Sequence, residues 1–148
     1  MKTLGLDLGD KTLGIAMSDS LGMVAHGIET FTFKTAHYKH ALEYLVNFLK
    51  KEDISTIVLG MPKNMDNTIG ERAHISQRFA KKVEIMTGRN VVLWDERLTT
   101  TEANRVLIAG GVRRENRKDH LDQLAATLIL QSYLDRQQHD RSFLVKTF

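Results

Sequence analysis

No cysteine occurs anywhere in the chain. That absence removes disulfide scaffolds, thiolate zinc sites and cysteine nucleophiles, and it fits a reducing compartment. No run of 18 apolar residues occurs either, so no membrane span is expected. The opening MKTLGLDLGDKTLGIA sets Asp7 and Asp10 inside what would be a signal peptide's apolar core, which argues against secretion. There is no internal repeat, no low-complexity stretch and no linker. The histidines (His26, His37, His40, His74, His120 and His139) lack a metal-ligand spacing. What remains is 148 residues, 42% hydrophobic and 26% charged, the composition of an ordinary globular protein. This is the length of one domain, 1–148, which should bury roughly 70% of the unfolded chain's surface. A net charge of +3 permits nucleic acid as a partner without requiring it.

Leu4, Leu6 and Leu8 alternate with Gly5, Asp7 and Gly9, the period of a strand with one packed face. Two further short strands follow, Leu13 to Ser18 and Val24 to Phe33, joined by the turns at 9–11 and 19–22 into an antiparallel meander. The period then lengthens. Tyr38, Ala41, Leu42, Leu45, Val46 and Leu49 mark an amphipathic helix, and Ile75, Phe79, Val83 and Met86 a second one stopping near Gly88. Between them Ile57-Val58-Leu59 reads as a buried parallel strand, and Val91 to Trp94 as another. Thr99 and Glu102 have capping-box spacing for a third helix that Gly110-Gly111 ends. Residues 112–118 read as a basic loop. A last helix is expected over about 119–138, with Leu121, Leu124, Ala125 and Leu128 on its main face, followed by a loosely ordered tail over 139–148. The order implies an α/β fold with a five-stranded mixed sheet and helices on both faces, compatible with the RNase-H-like architecture.

Three acidic positions stand out. Asp7 has only glycines beside it on its strand face, and Gly14 and Ala16 are available from the next strand. That leaves room for a metal or phosphate, although the same residue would also serve as a turn cap. Asp95-Glu96 ends the last strand, where ligands of open α/β sheets gather, and alternation allows only one of the two to share a side with Asp7. Asp122 continues at i+4 and i+7 into Ala126 and Ile129, so it tops an apolar helix face and needs a partner. Asp119, three residues earlier, reads equally as a helix cap. Carboxylates without thiolates favour hard cations such as Mg²⁺ or Mn²⁺ over zinc.

The segments DLGDKTLGIAMSD (7–19), LGMPKNMDNT (59–68), DERLTTTEA (95–103) and DQLAATLILQSYL (122–134) occur in this order. Together they resemble the YqgF family of pre-16S ribosomal RNA nucleases, also described as Holliday-junction-resolvase-like. The resemblance spans nearly the whole chain. It implies an RNase-H-like fold, a cytoplasmic location and a hydrolase that helps mature the 5′ end of 16S rRNA. It also implies a catalytic, metal-binding set of Asp7, Glu96 and Asp122, with one or two Mg²⁺ or Mn²⁺ ions and Asp119 as an extra ligand of lower weight. In two places the chain departs from the family pattern, at Thr12, where a basic residue is common, and at Asp119.

Basic residues near these acids are the expected nucleic-acid contacts: Lys11, Lys63, Arg97, Arg113, Arg114, Arg117 and Lys118, with Asn64 beside them. The 112–118 run also suits a solvated loop. Tyr38, Trp94 and Tyr133 lie on apolar patterns and are expected in the core. Two other functions compete with rRNA processing. One is a branched-DNA resolvase, which needs a symmetric dimer, so monomer and homodimer both stand open. The other is a non-catalytic RNA-binding assembly factor. The opening motif is also similar to the phosphate loop of sugar kinases and actin-like ATPases, but those close two such domains around a nucleotide and this chain has the length of one.

Overall fold

The computed structural model describes residues 1–62, 70–95 and a helix over 117–147, with side chains in that helix described over 123–138. The order is β1 (Lys2–Leu8), β2 (Thr12–Ser18), β3 (Ala25–Thr32), α1 (Tyr38–Lys50), β4 (Ile54–Met61), α2 (Glu71–Thr87), β5 (Asn90–Asp95) and α3 (Arg117–Thr147). The strands form one sheet in the order β3-β2-β1-β4-β5. β1 pairs antiparallel with β2 and parallel with β4, β2 pairs antiparallel with β3, and β4 parallel with β5. This is the mixed sheet that the meander and the apolar runs imply. The helix expected over 99–110 lies outside the described residues.

Alternation sorts the side chains onto two faces. Leu4, Leu6, Leu8, Leu13, Ile15, Ile57 and Leu59 face α1 and α2, where Leu45, Leu49, Phe79 and Val83 complete the larger core. Burying each such side chain stabilises the fold by about 1.5–3 kcal/mol. The other face is built from small residues. Gly5 pairs with Ala16, and Ala16 with Gly27, so a row with almost no side-chain volume crosses three strands. α3 lies on this row. A Cβ built on Gly5 would stand 2.6 Å from Leu130 Cβ and 2.9 Å from the Ala126 carbonyl oxygen, and one on Gly27 would stand 2.8 Å from Gln123 Cγ. The side chains that seal the contact are Val58, Ala126, Ile129, Leu130 and Leu134.

Polar contacts fix the direction of α3. Gln131 Oε1 accepts from the Ala25 N–H at 2.8 Å, and its Nε2 donates to the Met23 carbonyl at 2.9 Å. Gln123 meets Gly27, so α3 runs opposite to β3 and hence opposite to β1. Its N-terminal turns therefore head toward the carboxyl end of β1, where Asp7 stands.

Four expectations change. α3 begins at Arg117 and runs to Thr147, taking in the end of the expected basic loop and the expected tail; no proline or glycine interrupts these residues. Its packed face is Ala125, Ala126, Ile129, Leu130 and Leu134, whereas Leu124 and Leu128 are only half-buried. The cause is the Gly5–Ala16–Gly27 row, which admits the alanine side of the helix most closely. β5 is a marginal strand instead of a buried one, with Leu93 37% exposed, because among the described residues it pairs on one side only. Met86 points to solvent at the end of α2, whose last turn closes on the left-handed Gly88. Tyr38, Trp94 and Tyr133 do pack against the two cores.

Candidate active site

Asp7 is the penultimate residue of β1 and is half-buried. Across the antiparallel pair it faces Gly14. On the parallel side Leu6 pairs with Leu59, which puts Gly60 level with Asp7. Glycine thus flanks the carboxylate on both neighbouring strands, on the face that carries α3. At this level neither neighbouring strand presents a side chain beside the carboxylate.

The backbone just beyond Asp7 is tied down. The Gly9 N–H donates to the Thr12 carbonyl at 2.7 Å, closing the β1–β2 turn. Arg72, in the first turn of α2, donates to the Leu8 carbonyl at 2.9 Å and forms an ion pair with Asp10. Lys11 is exposed in the same turn, and its carbonyl accepts from the Phe33 N–H at 2.8 Å. The last acid of the opening motif has a local role. Asp19 accepts from the N–H groups of Met23 at 2.8 Å and Val24 at 3.3 Å, and the Met23 donor chiefly holds its carboxyl below the usual range.

At the other side of the sheet, Trp94 pairs with Gly60 and donates from Nε1 to Ser132 Oγ of α3 at 3.1 Å. Trp94 is therefore on the Asp7 face, and Asp95, one residue on, is on the opposite face. Glu96 follows directly and lies outside the described residues, as do Lys63, Asn64, Arg97, Arg113 and Arg114. Positions 119 and 122 lie in α3, position 122 one turn before Ala126, whose carbonyl packs on Gly5; their side chains are outside the described set. Arg117 and Lys118 open the same helix and are not loop residues. Among the described residues no group of three His, Cys, Asp or Glu side chains is placed to hold a metal ion. Sequence reasoning missed Gly60 and Arg72. Gly60 becomes a neighbour of Asp7 only through parallel pairing, and Arg72 carries no motif signal at all.

A five-stranded mixed sheet of this order, with an acid on the central β1 and helices on both faces, defines an RNase-H-like domain. Solved structures agree on the fold. The Thermus thermophilus RuvC bound to a Holliday junction superposes with a TM-score of 0.56 at 15% identity, over 93% of this chain and 96% of that one. The fowlpox virus Holliday junction resolvase gives 0.56 at 15%, over 92% and 99%. By sequence the chain belongs to the RuvX family, described as Holliday junction resolvase, which it matches over residues 1–136. A Bacillus subtilis (strain 168) protein named "Putative pre-16S rRNA nuclease" is 51% identical over 135 residues, covering 91% of this chain and 98% of that protein. A Halalkalibacterium halodurans protein of the same name is 48% identical over 138 residues, covering 93% and 99%. Among the described residues no helix is long and apolar enough to cross a membrane.

Proposed function

We propose that this chain, acting as one nuclease domain over 1–148, hydrolyses phosphodiester bonds of RNA in the cytoplasm, its substrate being the 5′ region of pre-16S rRNA. The observation that carries this is Asp7, held at the carboxyl end of β1 between Gly14 and Gly60. A carboxylate flanked by glycine on both neighbouring strands fits a hard divalent cation, since its donors are oxygen and neither neighbouring strand places a side chain beside it. Asp7, Glu96 and Asp122 would hold Mg²⁺ or Mn²⁺, as one ion or two, with Asp119 either an extra ligand or a cap. Such a centre, when bound, supplies water activation and stabilisation of the leaving oxygen.

The chain's own residues do the remainder. Asp7 orients the reacting phosphate's surroundings from a strand, a rigid element tied at its end by Arg72. Lys11, Lys63, Arg97, Arg113, Arg114, Arg117 and Lys118, with Asn64, grip the backbone on either side, giving affinity and register without reading sequence. Asp95 is left out of this set because its alternation directs it to the α2 face.

A second reading has its own support in the RuvX description and the fold of the junction resolvases: cleavage of branched DNA by a homodimer. The two readings separate in one assay. Pre-16S 5′-leader RNA, unstructured RNA and a four-way DNA junction are each incubated with Mg²⁺ or Mn²⁺, beside an Asp7→Asn control. Preferential cleavage of the leader supports the first reading. Paired symmetric cuts in the junction alone, by a dimer, replace it with the second. Binding without cleavage of any substrate leaves the non-catalytic assembly factor.

A further inference from the structure

We infer that the open cavity between the end of β3 and α1 takes one unpaired base of the substrate strand, preferring a base with an exocyclic amino group; this rests on the RNA reading above. The cavity measures about 700 Å³, in the range of small-molecule sites. Its wall is an aromatic stack: the Phe31 and Tyr44 rings lie 8° from parallel with centroids 4.1 Å apart. The Tyr44 hydroxyl donates to Glu29, which fixes the ring's rotation. A flat, half-buried stack of this kind offers a further plane to a nucleobase, and base stacking on aromatic rings is how proteins commonly hold unpaired nucleotides.

The rim decides what sort of group fits. Lys34, His40, Glu43 and Asn47 line it and are all exposed. The side chains of Lys34, Glu43 and Asn47 have no hydrogen-bond or ion-pair partner among the described residues. One cation against one anion makes a poor phosphate site. It makes a good base site, because Glu43 accepts from an exocyclic amino group while Asn47 both donates and accepts. Uracil, without an amino group, offers Glu43 only its N3–H, flanked on both sides by carbonyl oxygens that repel the carboxylate.

Position supports the same occupant. Asp7, Gly14 and Thr30 form one row across β1, β2 and β3, and Leu8, Leu13 and Phe31 form the next. The stack therefore stands two strands from Asp7, about 10 Å laterally at ~4.8 Å per strand, on the other face of the sheet. β3 is the sheet's edge, so a single strand leaving Asp7 can turn over this end of the sheet. Exposed Lys11 and Lys34 line that path, joined through the Phe33 N–H to Lys11 carbonyl bond. A rigid duplex cannot follow it with its bases paired.

The test uses binding, so that it does not depend on cleavage. Fluorescence anisotropy is measured on the full chain carrying Asp7→Asn, with short oligo(A), oligo(C), oligo(U) and a duplex RNA. We expect A and C to bind more tightly than U. Tyr44→Leu should weaken single-strand binding by roughly 5–150-fold, the equivalent of the ~1–3 kcal/mol per stacked base, with the duplex unchanged. Glu43→Gln should erase the preference over U, and the exposed Asn47→Asp, which leaves the core untouched, should weaken all single strands. A photoreactive 5-iodocytidine oligomer should crosslink at Phe31 or Tyr44. Equal affinities in folded Asn47→Asp and Glu43→Gln proteins, or crosslinks elsewhere, overturn the pocket while leaving the nuclease reading intact. No RNA binding by the Asp7→Asn protein overturns both.

Discussion

Adding one methyl group at Gly5 should loosen the whole α3 side of the molecule. A Cβ there would sit 2.6 Å from Leu130 Cβ and 2.9 Å from the Ala126 carbonyl oxygen, against a favourable carbon–carbon separation of about 3.5–4.0 Å. The helix must therefore lift by about 1 Å, since backbone and a Cβ have no rotamer by which to escape. Overpacking of this kind costs about 1–3 kcal/mol, which in a protein of this size lowers Tm by roughly 2–4 °C for each kcal/mol. Gly27→Ala provides the internal comparison. Its nearest contact is Gln123 Cγ at 2.8 Å, part of a flexible side chain that can swing aside, so its loss should be well under half as large. The same lift carries position 122 away from β1, and misplacement of about 1 Å at a reacting centre can cost roughly 10²-fold in rate. Melting curves and cleavage rates of the two variants check this together. A Gly5→Ala protein as stable and active as wild type would refute the close approach of α3 to β1.

Other variants probe separate links. Arg72→Ala removes a charged donor from the Leu8 carbonyl and the partly exposed ion pair with Asp10; it should cost about 1–2 kcal/mol in a melt and lower kcat more than it raises KM. Burial first, and then the Glu29 carboxylate, push the Tyr44 hydroxyl up to about 12 from 10.0. Its stabilising share is thus complete below pH 10 and lost as pH rises toward 12, so Tyr44→Phe should melt with a flatter pH dependence across that window. Asp122→Asn should abolish cleavage yet match or exceed the metal-free wild type in Tm, because like-charged carboxylates repel when no cation is bound. Mn²⁺ at 100 times its Kd should stabilise wild type by about 2.7 kcal/mol and the variant by less, which a melt with and without metal reads directly.

Much of this arrangement was legible because it is local. The alternation of Leu4, Leu6 and Leu8 with glycines announced β1 and the small neighbours of Asp7, and the unbroken Ile57-Val58-Leu59 run announced a buried parallel strand. What stayed hidden depends on register between distant segments. α3 has two usable apolar stripes, and the closer packing of Ala126, Ile129 and Leu130 than of Leu124 and Leu128 follows from the Gly5–Ala16–Gly27 row, assembled from three strands. Gly60 reaches Asp7 only through the β1–β4 pairing. The side of the sheet taken by Asp95 likewise needed Trp94 to be located against Ser132. A marginal strand such as β5 cannot be told from a buried one by an apolar run alone.

The claim on which all this rests is that Asp7, in its glycine cradle, is the centre of a metal-dependent phosphodiesterase. The direct measurement is cleavage of pre-16S 5′-leader RNA by wild type and Asp7→Asn, with Mg²⁺, Mn²⁺ or EDTA, and affinity for the same RNA taken in parallel. The account predicts cleavage by wild type only when a divalent ion is present, none by Asp7→Asn, and nearly equal RNA affinity in both. Cleavage that persists in the verified variant or in EDTA would contradict it.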